Sequence, residues 1–194
     1  MLDVATAAGS LLAAFGLSGA AGLNAWIPLL AVGLLGRAGQ LELADGYEWL
    51  ESTPALIVLA AAFVLDFVGD KVPAVDSLLH AAGTVVHPAA GAIVFAGPTE
   101  LPTDVPSIIL FALGAGVAGS LHATRATVRP VSTTMTAGAG NPVLSLAEDL
   151  VSAVLSVVAV FAPLLGAICL LAVVVVAVVW WRRVRRSRRR RSSA

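Results

Sequence analysis

Six ionisable side chains fall between Asp66 and His87: Asp66, Asp70, Lys71, Asp76, His80 and His87, with apolar runs on both sides of them. Their types suit proton transfer, ion pairing or cation binding, because carboxylates accept and imidazole titrates near neutral pH. On an ideal helix starting near Pro73, Asp76, His80, Gly83 and His87 share one side, and the rest of the helix surface is apolar. Such a stripe faces protein or water, because lipid would not solvate it. It reads either as a proton relay or ion path, or as satisfied packing partners with Asp76 complementing a helix dipole. A metal site from Asp76, His80 and His87 would need a further element, which His122 could supply, and no metal or cofactor is expected.

A second group of charges is placed to meet the first. His122, Arg125 and Arg129 stand three and four residues apart on one helix face. Pairing Asp66 and Asp70 with Arg125 and Arg129 would lower the penalty of burying any of them. Ser145, Glu148 and Ser152 form a stripe below Asn141 at the start of an apolar helix. The adjacent acids Glu148 and Asp149 complement a helix N-terminus, or coordinate a cation together with carbonyls exposed at a break.

The elements that hold these groups belong to a membrane protein. The chain is 58% hydrophobic and only 12% charged, against about 25% charged in soluble domains. Leu150 to Trp181 is a run of 32 residues without a charge. As one straight helix it would be about 48 Å long, against a hydrocarbon core of about 30 Å. It is therefore two segments hinged near Pro163 and Gly166, or one long kinked helix. An ionisable residue inside such a fold is a functional-site hypothesis by default.

The apolar segments divide at polar punctuation. Residues 4–17 lead into Gly16, Gly19 and Gly22, and a second apolar run starts after Asn24 with Pro28 in its first turn. Closely spaced glycines weaken a helix and Asn caps the next one, so helix, break, helix is expected over 4–35. Pro54–Gly69, Ser77–Gly97 with a kink at His87-Pro88, and Ser107–Leu121 are further helices. The last is small-faced through Gly114, Gly116, Gly119 and Ser120, and ends before Pro130. A polar break over 132–140 precedes a start with Asn141 as N-cap and Pro142 in the first turn. The fold class is thus all-α and polytopic, with five to seven membrane segments. The two Gly/Asn breaks form a weak internal echo of the kind found at transporter sites.

Charge sets the expected topology. The tract Arg182–Arg191 carries eight of the twelve basic residues, and residues 1–181 carry all twelve acids. The tract follows Trp180-Trp181, and positive residues favour the cytoplasmic side. The reading is a helical membrane domain over 1–181 and an Arg-rich cytoplasmic tail over 182–194, in the cell (cytoplasmic) membrane. The tail touches anionic lipid headgroups; nucleic acid is not expected as a partner, and self-association is left open. Lys71 and Arg125 fall on the tail's side, and the acidic loops 37–53 and 98–106 on the other. The N-terminus has no basic n-region and does not fit a cleavable signal peptide. Cys169, the only cysteine, excludes an intramolecular disulfide and reads as a small buried hydrophobe.

No phosphate-binding loop, nucleophile elbow, HExxH or dinucleotide fingerprint is present. Three stretches do resemble one family: Gly22-Leu-Asn24-Ala-Trp-Ile-Pro28, Gly46-Tyr-Glu-Trp49-Leu with Pro54-Ala-Leu, and Gly138-Ala-Gly-Asn141-Pro142. They are similar to the bacterial integral membrane proteins labelled domain of unknown function 4126, over most of residues 10–170. The resemblance implies a helical membrane fold and brings neither an activity nor catalytic residues.

The expectation is a small transporter or permease that moves an ion or small solute along a polar intramembrane path. Its candidate residues are Asn24, Asp66, Asp70, Lys71, Asp76, His80, His87, His122, Arg125, Asn141, Glu148 and Asp149. The alternatives are a non-catalytic membrane scaffold and a lipid-active membrane enzyme using Asp and His as acid and base.

Overall fold

A computed structural model describes residues 4–70, 73–98, 105–136 and 140–191. It is all-helical among those residues: α1 (Val4–Leu23), α2 (Trp26–Arg37), α3 (Thr53–Gly69), α4 (Pro73–Ala96), α5 (Ser107–Thr136), α6 (Asn141–Phe161) and α7 (Pro163–Arg191). One turn of 3-10 helix, Glu48–Glu51, sits in the loop before α3. Three helical stretches are long and apolar enough to cross a membrane: Leu78–Ala96, Ser107–Thr127 and Asn141–Phe161. Four shorter apolar helices accompany them, Ala7–Leu23, Trp26–Arg37, Thr53–Gly69 and Pro163–Val176.

The distribution of polarity is inverted relative to a soluble protein. On α6, Ser145, Asp149, Ser152 and Ser156 are buried, while Val143, Leu146, Leu150, Val154 and Phe161 are exposed. Leu65 on α3, Val85 on α4 and Ile108 on α5 are likewise exposed. Apolar surface of this extent fits lipid rather than water.

α1 is the central element and packs against α4, α5, α6 and α7. Its Ala14, Leu17, Ser18, Ala20 and Ala21 are fully buried. The glycines expected to break this helix instead admit neighbours. Gly16 faces Ala159, Gly19 faces Leu170, and Gly22 faces Ala118 and Leu121. The break is therefore confined to Asn24 and Ala25, because close packing on the glycine face stabilises the helix through Leu23. On α5, Gly114 and Gly119 meet α4 at Gly91 and Pro88, whereas Gly116 meets open space.

The ends of the elements follow the punctuation, with corrections. Ser52 caps α3 by accepting from Ala55 N at 3.3 Å, with Pro54 in the first turn. α4 runs through Pro88 as one helix. α5 does not end before Pro130 but continues to Thr136, since one proline removes one internal hydrogen bond and leaves the others. Gly140, not Asn141, occupies the N-cap of α6, and Gly140 N donates to Thr136 Oγ1 at 2.9 Å. The long apolar run resolves into two segments hinged at Ala162, where Pro163 starts α7. Cys169 is exposed on α7 rather than buried, in a hollow that it lines with Leu150 and Val154 of α6.

Two ends of the bundle differ in character. Leu43 pairs with Pro98 in an isolated bridge and Ala44 N donates to Gly97 O at 2.7 Å, so the loop after α2 lies against the end of α4. A cavity of about 490 Å³ opens there, lined in part by Ser10, Leu17, Gln40, Glu42 and Pro98. Most of the candidate residues gather toward the other end of α4.

Candidate functional site

The site begins at the break between α1 and α2. A helix end leaves its last carbonyls and the next helix's first N–H groups without internal partners. Asn24 supplies the second need, its Oδ1 accepting from Trp26 N at 2.9 Å and Ile27 N at 3.2 Å. Neighbouring helices help with the first. Ser152 Oγ of α6 donates to Ala20 O at 3.0 Å, and His87 Nδ1 of α4 lies 2.6 Å from Ala21 O. Irregular backbone at membrane depth is tolerated only where protein completes its hydrogen bonds in this way.

The other half of the Asn24 side chain reaches into the bundle. Its Nδ2 donates to Asp149 Oδ1 at 2.8 Å and, more weakly, to Asp66 Oδ2 at 3.4 Å. One carboxamide thus caps α2 and bridges carboxylates from α3 and α6. Asn24 is 2% exposed and Asp149 7%. The second oxygen of Asp149, Oδ2, is buried and has no hydrogen-bond partner among the described residues. A turn away, Ser145 Oγ donates to Asp70.

Beside this hub lies a cationic and imidazole layer. Arg125 Nη2 pairs with Glu148 Oε2 at 2.7 Å, with both side chains about nine-tenths buried. Its Nη1 lies 3.4 Å from His87 Nε2. A carbonyl only accepts and a guanidinium only donates, which assigns the His87 hydrogen to Nδ1 and the lone pair to Nε2. His122 stacks on His87, with ring centroids 4.2 Å apart, and its other neighbour is His80 at 4.9 Å. Gly83 makes the stack possible. A Cβ there would stand 2.6 Å from His122 Cε1 and 3.0 Å from His87 Cδ2.

These groups enclose a polar cleft of about 10 Å³ lined by Asp66, Asp70, His80, His87, His122 and Arg125. That volume is on the threshold of holding one water. The arrangement can pass or hold a proton or a small cation, and it excludes a larger solute in this conformation.

The structure brings together Asn24, Asp66, Asp70, His80, His87, His122, Arg125, Glu148 and Asp149. Asn141 stands apart, two turns before Asp149 in the first turn of α6. Lys71 and the side chains of Asp76 and Arg129 lie outside the described residues. No group of three or more His, Cys, Asp or Glu among the described residues is arranged to hold a metal ion. The expected α6 stripe is corrected, and one contribution escapes sequence reasoning. The inward stripe of α6 contains Asp149 rather than Glu148, at the 4-3-4 spacing of Ser145, Asp149, Ser152 and Ser156. The carbonyls of Ala20 and Ala21 are also part of the site, and no residue type announces a carbonyl.

A family model described as Domain of unknown function (DUF4126) matches residues 11–183. No curated protein and no solved structure matches the chain.

Proposed function

We propose that this chain, which belongs to the DUF4126 family, is a small transporter that carries a proton or a small cation through its polar interior. It acts in the cytoplasmic membrane, with the Arg-rich C-terminus and the Arg125 end of the bundle inside. The observation that carries this reading is the Asn24 carboxamide bridging Asp66 and Asp149 at a helix break, with Asp149 Oδ2 left unpartnered. An ionised oxygen buried without a partner is costly, so it favours an added proton or cation. Release of that charge follows if the α1–α2 break moves and reopens the cleft, as interrupted helices do in transporters. The His80–His122–His87 stack and the Arg125–Glu148 pair flank this position in the same polar interior. At the opposite end, the 490 Å³ cavity with Ser10 and Glu42 serves as the outer vestibule.

The narrow cleft sharpens the cargo from an ion or small solute to a proton or bare cation. The test is flux in proteoliposomes under an imposed proton, sodium or potassium gradient. Wild type should dissipate one of these gradients faster than empty liposomes, and Asp149→Asn should not.

A further inference from the structure

Between α5, α6 and α7 runs an apolar groove of about 410 Å³, lined by Leu121, Leu144, Val151, Val173 and Val176. Thr124, Arg125 and Glu148 stand at its polar end. It continues into a second hollow of about 380 Å³ that shares Val151, Ala172 and Val173 and reaches Leu155 and Cys169. From Leu144 to Leu155 the combined groove follows α6 for about 16 Å, at 1.5 Å per residue. That is close to half of a hydrocarbon core about 30 Å thick, the depth of one leaflet.

The charge an anion needs lies past the polar end. Arg125 at this end is buried and neutralised by Glu148, so the accessible charge lies just beyond it. Arg182 and Arg183 are exposed on α7, about 9 Å beyond Val176 along the helix axis. The remaining six arginines of the tract follow them. A slot of one leaflet's depth, apolar along its length and cationic at its mouth, matches one class of occupant.

We infer that this groove binds an anionic phospholipid, with one acyl chain along α6 and α7 and its phosphate at Arg182 and Arg183, beyond the groove's Arg125–Glu148 end. The exposed Arg182 and Arg183 then face the phosphate oxygens, and the tract selects against zwitterionic headgroups by charge. The inference does not depend on the transport reading. It sets the lipid beside the Arg125–Glu148 pair that lines the groove's polar end.

The test is native mass spectrometry of the full chain, released from detergent after incubation with phosphatidylglycerol and phosphatidylcholine of identical chains at equal concentration. Wild type should retain one phosphatidylglycerol per chain with at least a tenfold preference. Ala172→Phe, which fills the groove where its two parts meet, should lose the bound lipid. Val151→Trp serves the same purpose from α6 if Ala172→Phe does not fold. The pair Arg182→Gln and Arg183→Gln should keep a bound lipid while the preference falls below threefold. Equal retention of the two lipids by wild type, or phosphatidylglycerol binding untouched by a folded groove-filling variant, would overturn the inference. So would loss of a dimer in that variant with lipid binding unchanged, which makes the groove a seat for a second copy.

Discussion

Asn24 and Asp149, 125 residues apart in sequence, are joined by a hydrogen bond of 2.8 Å in the buried centre of the bundle. The same carboxamide holds the start of α2 through its oxygen. Local structure and long-range packing therefore meet in one side chain, and its removal tests both.

Asn24→Ala deletes a helix cap, worth about 1 kcal/mol, and strands a buried acceptor, worth about 1–3 kcal/mol. The unfolding free energy in a denaturing-detergent titration should fall by about 2–4 kcal/mol. Asn24→Asp keeps the capping oxygen but sets a third carboxyl group beside Asp66 and Asp149, so it should be no more stable than Asn24→Ala. Adding Asp149→Asn to Asn24→Asp restores a donor facing an acceptor. The double variant should recover at least half of the loss, whereas strictly additive effects would mean that the two side chains do not interact.

Arg125 and Glu148 form a pair screened from solvent, and breaking such a pair from one side leaves a buried charge. Arg125→Gln or Glu148→Gln alone should each cost about 3 kcal/mol. Arg125→Met with Glu148→Met should cost much less than the two Gln variants together. A double variant as damaged as that sum would show that the pair contributes through its separate neighbours.

Much of this is legible in the sequence. Apolar runs and a low charge content announce a helical membrane fold, and Asn24, Pro28, Pro54, Pro142 and Pro163 each mark a true helix start. The His80–Gly83–His87 stripe survives because it depends only on the pitch of one helix. The partners across helices were not legible. Asn24 meets Asp66 and Asp149 across 42 and 125 residues, and a pitch argument says nothing about which helices touch. For the same reason Glu148 as partner of Arg125 escaped a reading that offered Asp66 and Asp70, both of which line the Arg125 cleft. The glycines of α1 misled in the other direction. Propensity makes them breakers, but close contact with α5, α6 and α7 makes them packing positions.

Gly83 and Gly116 separate these two roles of glycine. Gly83→Ala puts a methyl within 2.6 Å of the His122 ring, and overpacking of this kind costs about 1–3 kcal/mol. Gly116→Ala meets nothing within 4 Å and should be neutral or stabilising by up to about 1 kcal/mol through helix propensity. Thermal unfolding in detergent decides this, and equal midpoints for the two variants would remove the tight fit assigned to Gly83.

The inverted surface predicts the effect of charge on the lipid face. Val85 is 71% exposed on α4, and a lysine near the middle of a span costs about 2.5–3.5 kcal/mol on insertion. Val85→Lys should lower the amount of protein recovered in the membrane fraction, and Val85→Leu should not. Equal recovery of the two would place this face of α4 against water or another protein.

The central claim is that Asp149, held by Asn24, carries the transported charge. Asp149→Asn retains a side-chain oxygen for the Asn24 donor and removes the ionisable group, so it separates chemistry from packing. The deciding measurement is the rate of proton or cation entry into proteoliposomes of wild type and Asp149→Asn, matched for folded protein by their thermal midpoints. The account predicts a wild-type rate well above empty liposomes and at least a tenfold fall in the variant. Equal rates in the two proteins, whether fast or at the level of empty liposomes, would contradict it.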